Sequence, residues 1–126
     1  MSWRALARQT EGATALEFAL VAPAFFALVA GIIELSLVLW IQLALQHGVE
    51  AAARCASINQ SLCAATSQIQ SYAASQSYGL SPPTSTFTVT TPTCGSQVQA
   101  SYPYNFIFGF FGTSALTLTA TACFPK

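Results

Sequence analysis

Between Ala13 and Gln46 the chain reads ATALEFALVAPAFFALVAGIIELSLVLWIQLALQ, with Glu17 and Glu34 as its only charges. Sixteen residues from Phe18 to Leu45 are Leu, Ile, Val or Phe. Moving them into a bilayer is favourable by about 7 kcal/mol, against about 3 kcal/mol for one buried acid, so insertion wins despite Glu34. About 20 apolar residues span the hydrocarbon core, and this run is longer than that. A cleaved secretory signal has an apolar region of about 7–15 residues, which is too short to describe it. The sequence therefore predicts one transmembrane helix, residues 13–45, leaving room for a single small domain after it.

Charge sets the orientation and excludes other classes. Only 6% of the 126 residues are charged and the net charge is zero, which is no footprint for nucleic acid. With 53% hydrophobic residues, disorder is excluded as well. Arg4 and Arg8 precede the span, and Arg54 is the only cation between it and Lys126. By the positive-inside tendency the N-terminus is cytoplasmic and residues 46–126 are exported. All four cysteines, Cys55, Cys63, Cys94 and Cys123, then lie on the exported side, where disulfides persist.

The residues that open the span, Glu11-Gly12-Ala13-Thr14-Ala15-Leu16-Glu17-Phe18, resemble a type IV prepilin processing site: Gly, four small or apolar residues, then Glu-Phe at the head of an apolar helix. More closely, GATALEFALVAP, followed by GIIEL and AAARCA, resembles the TadE-like family, small pseudopilins of the tight-adherence (Flp) pilus. The likeness covers about residues 11–57. It implies a leader, residues 1–12, removed by a prepilin peptidase that cuts between Gly12 and Ala13. A glycine there offers the protease a backbone with no side chain in the way. Glu17 would become the fifth mature residue and pair with the freed amine of a neighbouring subunit, since either charge alone is costly in low dielectric. The resemblance also makes Glu34 a family feature and matches Arg54 to an Ala-Arg pattern. The implied partners are other pilins or pseudopilins through the N-terminal helix, the prepilin peptidase, the inner-membrane pilus assembly platform and the lipid bilayer. The implied location is the bacterial inner membrane, single-pass, with incorporation into the pilus.

Glu34 falls where about 20 residues counted from Ala13 reach the outer interface. Two readings stand: a boundary carboxylate, or an intersubunit contact in a helix bundle. Pro23 removes a helix hydrogen bond to Ala19 and predicts a kink. Ala15, Ala19, Ala22, Ala27 and Gly31 recur at helical spacing, a pattern that lets helices pack closely in lipid. Trp40 suits an interfacial anchor.

After Leu45 the helix turns amphipathic, with Leu45, Val49, Ala52 and Ala56 on one side. Glu50 and Arg54 stand four apart in the orientation that favours an ion pair. A helix over residues 13–57 would be about 65–70 Å long. Asn59-Gln60-Ser61 breaks it, and a second helix is predicted over 62–77, ended by Gly79 and Ser81-Pro82-Pro83. Strands are predicted at 86–90, 97–104 and 114–122 from their alternation. The fold class is α+β and pilin-like: a long transmembrane and stalk helix, a short second helix, and a three-stranded antiparallel sheet with one face on the stalk.

Four cysteines allow three connectivities. If the last two strands form a hairpin with Tyr104 opposite Ser114 and Gln97 opposite Thr121, Cys94 falls beside Cys123. Cys55 then pairs with Cys63, which needs the helix broken at Asn59, because eight residues on one intact helix span about 12 Å. Cysteine spacings of 8, 31 and 29 resemble no zinc pattern, and no metal or other cofactor is expected. The loop Asn105-Phe106-Ile107-Phe108-Gly109-Phe110-Phe111-Gly112 either folds back over a small core or forms an exposed apolar patch.

No catalytic constellation is present. The single histidine, His47, sits where the helix leaves the membrane, with no Asp anywhere in the chain to orient it. The reading is a structural pseudopilin or minor pilin acting in pilus assembly and adherence. The alternatives are an uncleaved single-pass assembly factor and an exported adhesive module that uses the Phe-rich loop.

Overall fold

The computed structural model describes residues 10–109, 112 and 115–126. Arg4 and Arg8 of the expected leader, and Phe110 and Phe111 of the aromatic loop, lie outside the described residues. The elements are helix α1 (Thr10–Ile58), helix α2 (Thr66–Ser75), a 3-10 turn (Thr84–Thr86) and strands β1 (Phe87–Thr90), β2 (Ser96–Tyr104) and β3 (Leu116–Phe124). The class is α+β, as the sequence predicts.

Two compact units divide the chain at Leu35 and Ser36. In the first, the described residues are helix alone. Its large side chains, Leu16, Phe18, Leu20, Phe25 and Phe26 among them, are exposed, and the helix runs through Pro23. Among the described residues, α1 is the one helix long and apolar enough to cross a membrane.

The second unit holds the core. Ile41, Leu45, Val49, Ala52 and Ala56 of α1 bury against Ile69 and Ala73 of α2, Phe87 of β1, Val98, Ala100 and Tyr104 of β2, and Leu118 and Ala120 of β3. Full burial of side chains such as Leu45, Val49, Phe87 and Val98 is worth about 1.5–3 kcal/mol each. Residues 36–45, grouped with the membrane span in the sequence, thus supply Ile41, Ala44 and Leu45 to this core. The sheet has order β1-β2-β3 and is antiparallel throughout. Alternation puts Val98 and Ala100 inward, while Gln99 and Ser101 face out, the period-2 pattern of a half-buried sheet.

Three local expectations change. Tyr104 pairs with Leu116 and Gln97 with Cys123, so the hairpin is shifted by two positions from the predicted register and β3 starts at Leu116. The second helix starts at Thr66, not 62. Cys63 is held by its disulfide, and the Gln68 Oε1 atom accepts from the backbone N–H groups of Ala64 and Ala65, both at 3.1 Å, which satisfies donors that a helix start leaves open. Glu50 does not pair with Arg54. It accepts from Gln46 Nε2 at 2.7 Å, a competing partner one turn earlier on the same face.

α1 ends where predicted. The Asn59 side-chain oxygen accepts from Leu62 N–H at 3.3 Å and from the Ser61 hydroxyl at 2.7 Å, and Cys63 N–H donates to the Asn59 carbonyl at 3.0 Å. A local side-chain bond of this kind gives the backbone an alternative to helix. The chain turns there, and Cys55 and Cys63 meet with Cα atoms 5.8 Å apart.

Candidate functional site

The site residues named from sequence lie on α1 and at its disulfide-bonded end. Gly12 and Ala13 sit in the first turns of the helix and are exposed. A side chain at Gly12 would meet nothing within 4 Å. Glu17 is exposed one turn further along. Glu34 is only 3% exposed, a burial that neither reading of the sequence included. Seventeen residues of helix put Glu17 and Glu34 about 25 Å apart, so they act in different places. Ala15, Ala19 and Ala27 are exposed, and Ala22 and Gly31 are half-buried.

The folded unit carries both disulfides. Cys55 joins Cys63, and Cys94 joins Cys123 with Cα atoms 6.3 Å apart. The second closes the open end of the β2–β3 hairpin, since Gln97 is already opposite Cys123. Gly95 makes that closure possible. It holds φ +122°, and a Cβ there would run into the Phe124 carbonyl and lie 2.7 Å from Pro125 Cα. Only a residue without a side chain fits.

His47 has a structural role that the sequence did not reveal. Its Nδ1 lies 2.8 Å from the Gln76 carbonyl oxygen. A carbonyl only accepts, so Nδ1 carries the hydrogen. The ring stacks on Tyr78 with centroids 4.3 Å apart. Next to it, Gly48 lets α1 approach the end of α2: a Cβ there would lie 2.5 Å from Ser77 Oγ and 2.8 Å from the Ala73 carbonyl oxygen. The signal available in sequence was a glycine in mid-helix, with no indication of what it faces.

A cleft of about 490 Å³ opens beside these residues, lined by His47, Glu50, Arg54, Ile58, Tyr72 and Phe124 among others. Among the described residues no group of three or more His, Cys, Asp or Glu is placed to hold a metal ion. In the aromatic loop, Phe106 packs on the core and meets Tyr104 edge-on at 5.4 Å. Ile107 and Phe108 remain 65% and 45% exposed. Among the described residues of the loop, Phe106 thus folds back on the core while Ile107 and Phe108 stay exposed.

No curated protein and no solved structure matches the chain. A family model does: TadE-like protein, over residues 12–54. That stretch holds Gly12, Ala13, Glu17, Glu34, His47, Gly48 and Arg54, which is nearly every α1 residue singled out above. The family is associated with the tight-adherence pilus and is structural rather than enzymatic. Over residues 12–54, through the apolar part of α1 and into the folded unit, the chain is similar to the TadE-like family.

Proposed function

We propose that the protein is a structural pseudopilin or minor pilin of the tight-adherence pilus. It is made as a precursor and cut by a prepilin peptidase between Gly12 and Ala13. The mature chain is held in the bacterial inner membrane by the first part of α1, with its start on the cytoplasmic side and its disulfide-bonded domain exported. Glu17, fifth after the cut, meets the new amine of a neighbouring subunit while the apolar helices pack side by side. Other pilins and the inner-membrane assembly platform are its partners.

The observation that carries this reading is the coincidence of the TadE-like match over residues 12–54 with a helix that exposes nearly all its large apolar side chains from Leu16 to Leu35. A water-soluble helix hides such a surface in a core, whereas one in lipid or in a helix bundle leaves it facing outward. N-terminal sequencing of the protein purified from membranes tests the processing step. Ala13 as first residue is the expected result. Met1 as first residue would turn the assignment toward an uncleaved assembly factor. Recovery of the mature chain in sheared pili tests incorporation.

A further inference from the structure

Glu50 and Arg54 are both exposed on one face of α1, four residues and about 6 Å apart along its axis. An acid and a base at that spacing ordinarily pair within the helix. Here they do not. Glu50 accepts from Gln46 Nε2 at 2.7 Å, and among the described residues Arg54 makes no hydrogen bond or ion pair. A guanidinium carries five donors in a fixed fork that matches a carboxylate, and this one presents all of them outward.

The two charges line the cleft of about 490 Å³ together with Ile58, Leu62, Tyr72 and Phe124. Phe124 is held against α1 by its carbonyl, 3.3 Å from the Ser57 hydroxyl, and further back on β3 the Thr119 carbonyl accepts from Gln42 Nε2 at 2.7 Å. Side-chain bonds thus fix that wall of the cleft before anything binds. Ile58 and Leu62 remain 72% and 59% exposed, so apolar knobs and a concave surface lie together. Arginine, aromatic and aliphatic side chains around a concavity are the composition of a protein contact.

Charge identifies the occupant. The matching surface must bring a carboxylate to Arg54 and a cation to Glu50. The chain has no Asp, and of its four Glu only Glu50 belongs to the folded unit. The folded unit of a second copy supplies the carboxylate in one way, with its own Glu50, and the reciprocal contact sets its Arg54 on the first copy's Glu50. A contact in which each residue meets the other across a two-fold axis is self-complementary. Helical side chains lean toward the helix N-terminus, which carries the Arg54 fork back over the turn that holds Glu50, within reach of a parallel neighbour.

We propose that this face is a contact between two copies of the chain, closed by reciprocal Arg54–Glu50 bonds with Ile58 and Leu62 of each copy set against the other's cleft. It rests on the proposed function for the parallel orientation of the copies alone; cleavage at Gly12 plays no part in it.

The test uses the full chain in phosphatidylcholine vesicles, labelled with a donor or an acceptor dye at its N-terminal amine, which at neutral pH reacts ahead of Lys126. Energy transfer reads association. Glu50→Arg and Arg54→Glu, each mixed only with itself, should associate about tenfold more weakly than the natural chain, because attraction becomes repulsion at both contacts. Donor-labelled Glu50→Arg mixed with acceptor-labelled Arg54→Glu should return to within about threefold of it. Both positions are exposed, so neither reversal enters the core. Undiminished transfer in the two separate variants overturns the contact and leaves copies packing through the apolar helix, as the proposed function has them. Weakened variants that do not recover when mixed overturn it too, and turn the cleft toward a partner of other chemistry. No transfer between natural copies overturns the contact together with side-by-side packing. N-terminal sequencing decides cleavage in every case, so the two readings fail separately.

Discussion

Replacing Gly48 by alanine tests the packing of α1 on α2. In an isolated helix this change is favourable by about 1 kcal/mol, because glycine is the more flexible residue. Here the new methyl would lie 2.8 Å from the Ala73 carbonyl oxygen and 2.5 Å from Ser77 Oγ, whereas carbon–oxygen contacts settle near 3.3 Å or beyond, about 0.5 Å further out. The Ser77 hydroxyl can rotate, at the loss of its 2.8 Å bond to Ala73. The Ala73 carbonyl belongs to the backbone of α2, so the helices must part. Overpacking of this kind costs about 1–3 kcal/mol. Setting the helix gain against the upper half of that range leaves a net loss of about 1–2 kcal/mol. Hydrogen exchange of the core amides of Val98, Ala100 and Ala120, followed on the full chain in detergent micelles, reads this directly. Exchange should quicken by about 5–30-fold. Adding Ser77→Ala should not restore the protection, since the Ala73 carbonyl stays in place. If Gly48→Ala slows exchange by about fivefold, as the helix gain alone would require, the close approach of the two helices is wrong.

Other changes have effects of defined order. Gly95→Ala should prevent the Cys94–Cys123 closure or strain it, because a Cβ at φ +122° meets the Phe124 carbonyl and Pro125; free-thiol titration of the purified variant should find reactive Cys94 and Cys123, and full oxidation would contradict this. Removing the Cys94–Cys123 pair, separated by 29 residues, should destabilise more than removing Cys55–Cys63, separated by 8; chain entropy gives about 3.6 against about 2.6 kcal/mol, and the order of denaturant midpoints checks it. Phe87 is 1% exposed at the centre of the core, so Phe87→Ala should cost about 3–5 kcal/mol, seen as a loss of near-ultraviolet dichroism at a much lower denaturant concentration.

Much of the architecture is legible in the residues because burial imposes a period. Leu45, Val49, Ala52 and Ala56 repeat at helical spacing and all four reach the core. The alternation of Val98 and Ala100 with glutamines and serine gives the inward face of β2. Side-chain period does not fix pairing, so the predicted hairpin is two positions out of the observed register: its long aromatic loop carries no compact turn signal to set it. Glu50–Arg54 failed for a local reason, since Gln46 offers Glu50 a nearer donor. Gly48 and His47 were opaque because what they touch, Ala73 and Gln76, belongs to a helix end more than twenty residues away, and no local pattern encodes that meeting. Glu34 stands out in the sequence as an acid in an apolar run, but that pattern does not encode its being only 3% exposed.

The bonds from side chains to strand carbonyls have a further consequence for how copies of this protein can meet. A three-stranded sheet has two outer margins, each a template on which another chain can add a strand. On one margin, β3 has the Thr119 carbonyl taken by Gln42 and the Phe124 carbonyl within reach of Ser57. On the other, β1 is four residues long and its Phe87 carbonyl accepts from Gln70 at 2.7 Å. An incoming strand would have to break these bonds before forming its own. Sheet-to-sheet growth, the route to unwanted fibres, is thus resisted at both margins by glutamine and serine side chains that the same chain supplies.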